Sequence, residues 1–331
     1  MQNRTGAARR RYLGAGLAAA AAAAATAAGA ARAQAWPSRP VRIVVGFSPG
    51  GGVDAMARLL ATRLTEQLGQ QVIVENRAGA AGLIAADVVA RAAPDGYTVM
   101  LTDPSMIIAR AMGVAQAPDA FGAFTPVASV FRMPLMIVAN NDFPATDPAS
   151  LVRALQAAPG RHSYATSGVG TVHHLGFEML KRSTRTFVVH IPYRGASQII
   201  PDVASGQLPL GVVSATAGIT QARAGRLKAL AMMSPDRLPG MEAVRPLSDA
   251  VPGFDVAPSL FVLGPAGLPA PVAATLSDAI RRVLDAPATE QTASAQGAVR
   301  AFGTAQQLTQ AMNRDAELFG RVIREQGIQA G

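Results

Sequence analysis

The segment that decides the fold reads Val41-Arg42-Ile43-Val44-Val45-Gly46-Phe47-Ser48-Pro49-Gly50-Gly51-Gly52-Val53-Asp54. Its start, residues 41–45, is apolar except for one arginine and predicts a mostly buried strand, which the serine, proline and glycines then end. A helix is predicted next, because apolar residues recur at 3.6-residue spacing as far as Leu68 and Gly69 provides a stop. The segment therefore predicts a strand, a glycine-rich turn and a helix in immediate succession.

The same alternation continues along the chain. Strands are predicted at 71–75 and 97–102, with a helix between them that follows residues 76–79 and runs to about Arg91. A second copy of the pattern is a strand at 161–165, a turn at 166–171, a helix at 172–182 and a strand at 187–191. Strands that alternate with helices of this length predict parallel sheets covered by helices, here as two βαβα units.

The two copies predict two α/β lobes. The spacing from Ser48 to Arg77 is 29 residues and that from Ser167 to Arg194 is 27. The two units therefore have a similar architecture, as expected of a repeat. We expect the chain to cross between the lobes near Leu135–Ala139 and again near 260–264. The first lobe then comprises residues 36–136 and 262–331, and the second comprises residues 137–261.

Charge and composition exclude several classes of protein. The chain has 331 residues, 30 Lys and Arg, 21 Asp and Glu, and a net charge of +9. Five of the arginines lie in residues 1–35, which contain no acid, so +4 remains for the rest. This excess is spread out and only 5% of the residues are aromatic, which argues against nucleic-acid binding. The absence of cysteine excludes disulfides, thiolate metal sites and a cysteine nucleophile.

Residues 1–35 have the features of a secretory signal peptide. Arg9, Arg10 and Arg11 precede an alanine-rich stretch, and small residues at 33–35 predict cleavage after Ala35. A membrane anchor is the weaker alternative, since alanine is barely apolar enough to hold a helix in lipid. The order Arg9-Arg10-Arg11-Tyr12-Leu13 also fits twin-arginine export, so the export route stays open. The mature chain is expected in the periplasm.

Both glycine-rich turns lie between a strand and a helix and are candidate anion sites. Backbone N–H groups there lack intrahelical partners, the helix dipole presents positive charge, and glycine lets a ligand approach the backbone. Hydroxyl groups from Ser48, Ser167 and Thr171 can add hydrogen bonds. The alternative is that the turns are ordinary tight corners of an α/β fold, but their presence in both lobes favours a ligand.

The sequence gives less support to a hydrolase site, a cofactor site or a metal site. Residues 46–50 match the G-x-S-x-G nucleophile elbow of a serine hydrolase, with Ser48 as the nucleophile. Pro49 follows it, however, and has no N–H to contribute to an oxyanion hole. No phosphate-binding or dinucleotide motif is complete, so no cofactor is predicted. His173 and His174 are adjacent and cannot share a metal as residues i and i+4 do, so no metal site is predicted, and His173 remains a possible donor in a cleft wall.

The chain resembles the Bug family, the extracytoplasmic solute receptors of tripartite tricarboxylate transporters. The resemblance covers nearly all of the mature chain. It rests on the following motifs in this order: Trp36-Pro37-Ser38-Arg39-Pro40-Val41-Arg42, Pro49-Gly50-Gly51-Gly52-Val53-Asp54, Leu68-Gly69-Gln70-Gln71-Val72-Ile73-Val74-Glu75-Asn76-Arg77-Ala78-Gly79, Pro94-Asp95-Gly96-Tyr97-Thr98, Phe124-Thr125-Pro126-Val127, Tyr164-Ala165-Thr166-Ser167-Gly168 and Ile191-Pro192-Tyr193-Arg194-Gly195.

The resemblance implies a type II periplasmic-binding-protein fold, with two α/β lobes joined by a two-segment hinge and a ligand cleft between them. It also implies no catalysis and a small carboxylated ligand, namely a dicarboxylate, tricarboxylate, acidic amino acid or aromatic acid. Its partners are expected to be membrane transporter subunits or a sensor, and the chain itself is expected to be a monomer. The implied ligand-binding residues are Phe47, Ser48, Gly50, Gly51, Gly52, Asp103, Ser105, Thr166, Ser167, Gly168, Gly170, Thr171, His173, Tyr193 and Ser214.

Two of these positions depart from the family pattern. Ser48 stands where the family usually has a proline-rich stretch, and it can add a hydroxyl group to the pocket. Asp103 stands where small residues are usual. If it faces the cleft, its carboxylate would repel a second carboxylate or select an amine.

Overall fold

A computed structural model describes residues 36–114 and 117–328, and within them the chain forms two mixed β-sheets covered by helices. The predicted signal peptide lies outside the described residues. Residues from Arg39 onward form one compact unit. The strands are β1 (Val41–Val45), β2 (Val72–Asn76), β3 (Thr98–Thr102), β4 (Phe124–Arg132), β5 (Leu135–Ala139), β6 (Ser163–Thr166), β7 (Val189–Pro192), β8 (Leu210–Ser214), β9 (Lys228–Met232), β10 (Ser259–Pro265) and β11 (Val299–Thr304).

The helices cover the faces of the two sheets, and none in the described part of the chain is long and apolar enough to cross a membrane. They are α1 (Gly52–Leu68), α2 (Leu83–Ala90), α3 (Ser105–Ala111), α4 (Pro148–Ala157), α5 (Val172–Thr184), α6 (Ala196–Ala204), α7 (Ala215–Arg223), α8 (Ala270–Asp285), α9 (Pro287–Ala295) and α10 (Ala305–Gln326).

The two sheets have equivalent topologies. The first has the strand order β11-β4-β10-β3-β1-β2 and the second β7-β6-β8-β5-β9. In the first, β1 lies between β2 and β3 and is parallel to both, and in the second β6 lies between β7 and β8 in the same way. The next strand is antiparallel in each case, β10 beside β3 and β5 beside β8. The repetition indicated by the turn spacing is therefore present in the strand order.

The predicted parallel strands are present in both sheets, but each sheet also contains antiparallel strands. Strand β10 is antiparallel to both β3 and β4, β11 is antiparallel to β4, and β5 is antiparallel to β8 and β9. The chain leaves the first sheet along β4 and returns to it along β10, so these neighbours run in opposite directions. We call the first sheet with its helices the first lobe and the second sheet with its helices the second lobe.

Two chain segments connect the lobes side by side. Residues 133–134 lead from β4 to β5, and residues 233–258 lead from β9 to β10. Their backbones are hydrogen-bonded, since Met133 N donates to Pro258 O at 2.8 Å. Within the second segment, Val256 N donates to Met233 O at 2.7 Å. These segments form the two-segment hinge of the fold. The predicted cuts after residues 136 and 261 fall inside β5 and β10, and the exact division of the chain into lobes stays a prediction.

Local sequence signals set most element ends. Gly69 ends α1 in the left-handed conformation with φ of 66° and donates its N–H to Thr65 O. The helix predicted after residues 76–79 begins later than expected, at Leu83, because Ala80 and Ala81 take positive φ values of 46° and 54° in a tight turn. That turn packs against the end of β1, where a Cβ on Gly46 would lie 2.5 Å from Gly82 Cα.

Candidate functional site

The carboxyl ends of the parallel strands meet at one cleft, which is where α/β sheets usually bind ligands. Residues after β1, β3, β6 and β7 and at the end of β8 contribute to it, together with residues of the hinge. The lining consists of Phe47, Ser48, Gly51, Gly52, Val53, Asp103, Met133, Leu135, Ser167, His173, Gly195, Ala196, Ser214 and Pro258.

The first lobe presents the start of α1 to the cleft. Gly51 is the N-cap residue of this helix, and no side chain caps it. The N–H groups of the first turn are therefore free to donate to a ligand, and the helix dipole adds positive charge at the same point. Glycine at 51 and 52 leaves this backbone bare toward the cleft.

Asp54 holds this turn in shape from within the helix. Its Oδ2 accepts hydrogen bonds from Gly50 N and Arg58 Nε, both at 2.9 Å, and its Oδ1 accepts one from Asn76 Nδ2 at 2.8 Å. Burial alone would raise the pKa of Asp54, but these hydrogen bonds and the Arg58 charge outweigh burial and lower it. Asp54 thus has the structural role that its place at the helix start suggests.

The second lobe presents two further helix starts. Gly195 is the N-cap residue of α6, again without a capping side chain, and Ala196 follows it in the lining. Ser214 is the N-cap residue of α7, and its Oγ accepts from Ala217 N at 3.3 Å. Three helix N-termini therefore face one cleft, an arrangement that favours an anion without Lys or Arg in the lining described here.

The turn at 166–171 contributes less to the cleft than its sequence suggests. Thr171 Oγ1 donates to Gly168 O at 2.8 Å and accepts from His174 N at 3.2 Å, so it caps α5. Thr166 Oγ1 lies 2.7 Å from His190 Nε2, away from the lining. Of this turn, Ser167 reaches the cleft, and His173 reaches it from the first turn of α5.

His173 is a neutral polar group in the cleft wall. Its side chain is 6% exposed, and burial lowers its pKa to about 4. Nδ1 is buried and has no hydrogen-bond partner among the residues that the structure describes. A buried polar atom without a partner is costly, and a ligand in the cleft can supply that partner.

The lobes touch each other across the cleft. Ser48 Oγ of the first lobe donates to Arg194 O of the second at 3.2 Å. A Cβ on Gly195 would lie 3.0 Å from Ser48 Cβ, and one on Gly52 would lie 2.2 Å from Ser214 Oγ. The two walls are thus in van der Waals contact at these points.

Eight of the residues proposed from the sequence lie in the lining: Phe47, Ser48, Gly51, Gly52, Asp103, Ser167, His173 and Ser214. Seven do not: Gly50, Ser105, Thr166, Gly168, Gly170, Thr171 and Tyr193. Thr166 and Thr171 are turned into their own loop, Ser105 N–H bonds Asp103 Oδ1, and the Tyr193 hydroxyl donates to Asp202. Whether any of these residues binds a ligand stays a prediction.

Sequence reasoning missed six lining residues: Val53, Met133, Leu135, Gly195, Ala196 and Pro258. Gly195 follows a strand and precedes a helix, as Gly51 does, so the signal used for the first turn could have found it and its neighbour. Met133 and Pro258 in the hinge and Leu135 at the start of β5 carry no such signal, because their role depends on the two hinge segments lying side by side.

A stacked pair of histidines, one buried and one partly buried, lies behind the second turn. The rings of His174 and His190 stack with centroids 4.1 Å apart, and Gly170 N donates to His174 Nδ1 at 3.4 Å. Burial, helped by the positive charge of neighbouring His174 and Lys181, lowers the pKa of His190 to about 3. Burial also lowers the pKa of His174, although Glu178 opposes this.

This pair predicts that acid destabilises the protein. Because both pKa values are lower in the folded chain than the unfolded value of about 6.5, the unfolded chain binds more protons below that pH. The free energy of unfolding should therefore fall as the pH drops from about 6.5 toward 4. Urea titrations over this range test the idea, and His190→Gln, which retains a nitrogen near Nε2, should flatten the slope. An unchanged slope in His190→Gln would contradict it.

A cleft lined by helix N-termini between two hinged α/β lobes defines a two-lobe solute-binding protein. The family model described as tripartite tricarboxylate transporter family receptor matches residues 56–328. The chain belongs to this receptor family, and the resemblance found from the sequence motifs is confirmed. Receptors of the family are periplasmic and bind substrates rather than catalyse reactions, so Ser48 is not a hydrolase nucleophile.

Three similar proteins illustrate the match. The protein BugT of Bordetella pertussis is 32% identical over 300 residues, which cover 89% of this chain and 91% of BugT. The Rhodopseudomonas palustris protein Rpa4515, in a structure with adipate, is 29% identical with a TM-score of 0.85, covering 89% of this chain and 99% of that one. MatC from the same organism, with bound malate, is 28% identical with a TM-score of 0.80, covering 87% of this chain and 100% of that one.

Proposed function

We propose that this chain captures a small carboxylated organic anion in the periplasm and delivers it to a tripartite tricarboxylate-type transporter in the membrane. Its ligand would be a dicarboxylate, a tricarboxylate, an acidic amino acid or an aromatic acid. The mature receptor would be a monomer that begins after Ala35.

One observation carries this proposal: the starts of α1, α6 and α7 converge on one cleft. Two of these helices have glycine N-caps with no capping side chain, so their N–H groups are available for a carboxylate. Ser48, Ser167 and Ser214 add hydroxyl groups in the same lining. The adipate and malate in the structures of two relatives support a carboxylate as the ligand.

Ligand capture would involve closure of the lobes. Contacts such as Ser48 Oγ to Arg194 O exist only when the lobes meet, so they belong to the closed form. A ligand that touches both walls binds the closed form better and shifts the population toward it.

The experiment is a thermal-shift panel on the mature chain after denaturation and refolding, which removes any ligand carried through purification. The panel contains aspartate, glutamate, malate, succinate, citrate, nicotinate and simple aromatic acids. An acid at about 100 times its dissociation constant should add about 2.7 kcal/mol of stability. No shift with any of these acids would overturn the proposed ligand class.

Gly51→Asp tests the position of the site. A carboxylate at the uncapped start of α1 would repel the bound anion and compete for the same N–H groups, so the stabilising shift should disappear. Gly51→Asn is the matched control, because it adds nearly the same volume without charge. Equal affinity in wild type and Gly51→Asp would show that the anion does not bind at this helix.

A further inference from the structure

Asp103 is the one carboxyl group in the described lining of the cleft. It follows β3 directly, its side chain is 1% exposed, and its Oδ1 accepts a hydrogen bond from Ser105 N at 2.9 Å. Apart from the backbone N–H of Asp103 itself, Ser105 supplies the hydrogen bonding to this carboxyl group within the described chain. The group therefore lies buried in a site whose other features attract anions.

Within the described residues, no cationic side chain compensates a charge on Asp103. The described lining contains no Lys or Arg, and no Lys, Arg or His of the described chain forms an ion pair with this carboxylate. The other titratable side chain in the lining is His173, which is neutral because burial lowers its pKa to about 4. Burial likewise raises the pKa of Asp103, and the hydrogen bonds from Ser105 offset this only in part. An ionised carboxylate in such a place is stable when a positive charge enters the cleft with the ligand.

The cleft thus offers two kinds of contact to one molecule. The starts of α1, α6 and α7 suit a carboxylate, and the side chain of Asp103 suits a protonated nitrogen. We propose that Asp103 selects ligands that carry an ammonium group in addition to a carboxylate, as amino acids do, over the corresponding acids without nitrogen. This inference rests on the proposed function and narrows its ligand class.

A purely structural role would be capping of α3, because Asp103 Oδ1 accepts from the first N–H of that helix. Asparagine can accept the same hydrogen bond through its amide oxygen and has nearly the same shape. Asp103→Asn therefore retains the capping interaction and removes the charge, which separates the two roles.

The test uses pairs of acids that differ only by an ammonium group: aspartate and succinate, glutamate and glutarate, 4-aminobutyrate and butyrate, phenylalanine and 3-phenylpropionate. For the pair that binds, the wild type should bind the amine-bearing acid at least about 30-fold more tightly, since loss of one partner from a buried charge pair has this effect. In Asp103→Asn this preference should fall to within about threefold.

The outcomes separate this inference from the proposed function. If no acid of either kind binds the wild type, the proposed carboxylate receptor is wrong. If acids bind but the ammonium group gives no advantage, or Asp103→Asn keeps the advantage, the role of Asp103 is wrong and the receptor stands.

A measurement on the wild type covers the case in which Asp103→Asn does not fold. The affinity for the amine-bearing acid should stay constant or rise between about pH 5 and 8, because ionised Asp103 is the form that pairs with ammonium. An affinity that falls with rising pH would instead indicate a protonated Asp103 that donates to a ligand carboxylate, and would overturn the inference.

Discussion

Gly52→Ala is expected to weaken ligand binding by about 5- to 150-fold, because overpacking a tightly packed position costs about 1–3 kcal/mol. The added methyl group would lie 2.2 Å from Ser214 Oγ and 2.5 Å from Met133 Sδ. Gly52 belongs to the first lobe, Ser214 to the second and Met133 to the hinge, so the clash arises when the lobes close. Isothermal titration with the acid that gives the largest thermal shift measures the loss.

The same geometry predicts that the stability of the ligand-free protein changes little. Separation of the lobes removes the contact with Ser214, so the free energy of unfolding without ligand should change less than the free energy of binding. Gly320→Ala in α10 is the control, since its nearest neighbour is the flexible end of the Arg324 side chain at 3.2 Å. An affinity of Gly52→Ala equal to that of the control would mean that this closed contact is not part of the bound state.

Phe177→Ala is expected to cost about 3–5 kcal/mol of stability, as for other large aromatic side chains removed from a core. The Phe177 side chain is fully buried, and its ring stacks on that of Tyr164 with centroids 3.8 Å apart and planes 14° apart. Removal would leave a cavity in the second lobe and loosen Tyr164, whose hydroxyl donates to Glu178 Oε1 at 2.6 Å. Urea unfolding followed by far-UV circular dichroism measures the effect.

Phe187→Ala provides the matched control. Its side chain is 61% exposed, its ring lies beside the backbone of Gly160, and Lys181 Nζ is 5.9 Å from the ring centroid. The same substitution there should cost less than about 1 kcal/mol. Equal losses in the two variants would show that the Tyr164–Phe177 stack does not anchor the second lobe.

Much of the fold could be predicted from local signals. The bounds of β1 and the end of α1 at Gly69 agree with the sequence pattern, because apolar periodicity and a left-handed glycine act within a few residues. The mixed character of the sheets could not be predicted in this way. Strand β10 pairs with β3 and β4, which precede it by more than a hundred residues, and no local signal specifies that pairing.

The candidate site likewise contains some residues that local sequence signals identified and others that they did not. Gly51 and Gly52 were identified because a glycine-rich turn between strand and helix exposes N–H groups whatever the rest of the chain does. Thr166 and Thr171 lie in the corresponding turn of the second lobe, yet their hydroxyl groups bond within that lobe instead of facing the cleft. The direction of a side chain in a loop depends on the partners that tertiary packing places beside it.

The sequence by itself determined the strand–turn–helix units, the two-lobe class and the family, because each rests on residues that are neighbours along the chain. The tertiary structure decided which turns face each other, that hinge residues Met133 and Pro258 join the lining, and that Asp103 is buried there with no Lys or Arg of the described chain paired to it. The physical reason is range: helix capping and periodicity act over a few residues, whereas burial and charge compensation depend on every segment that packs around a group.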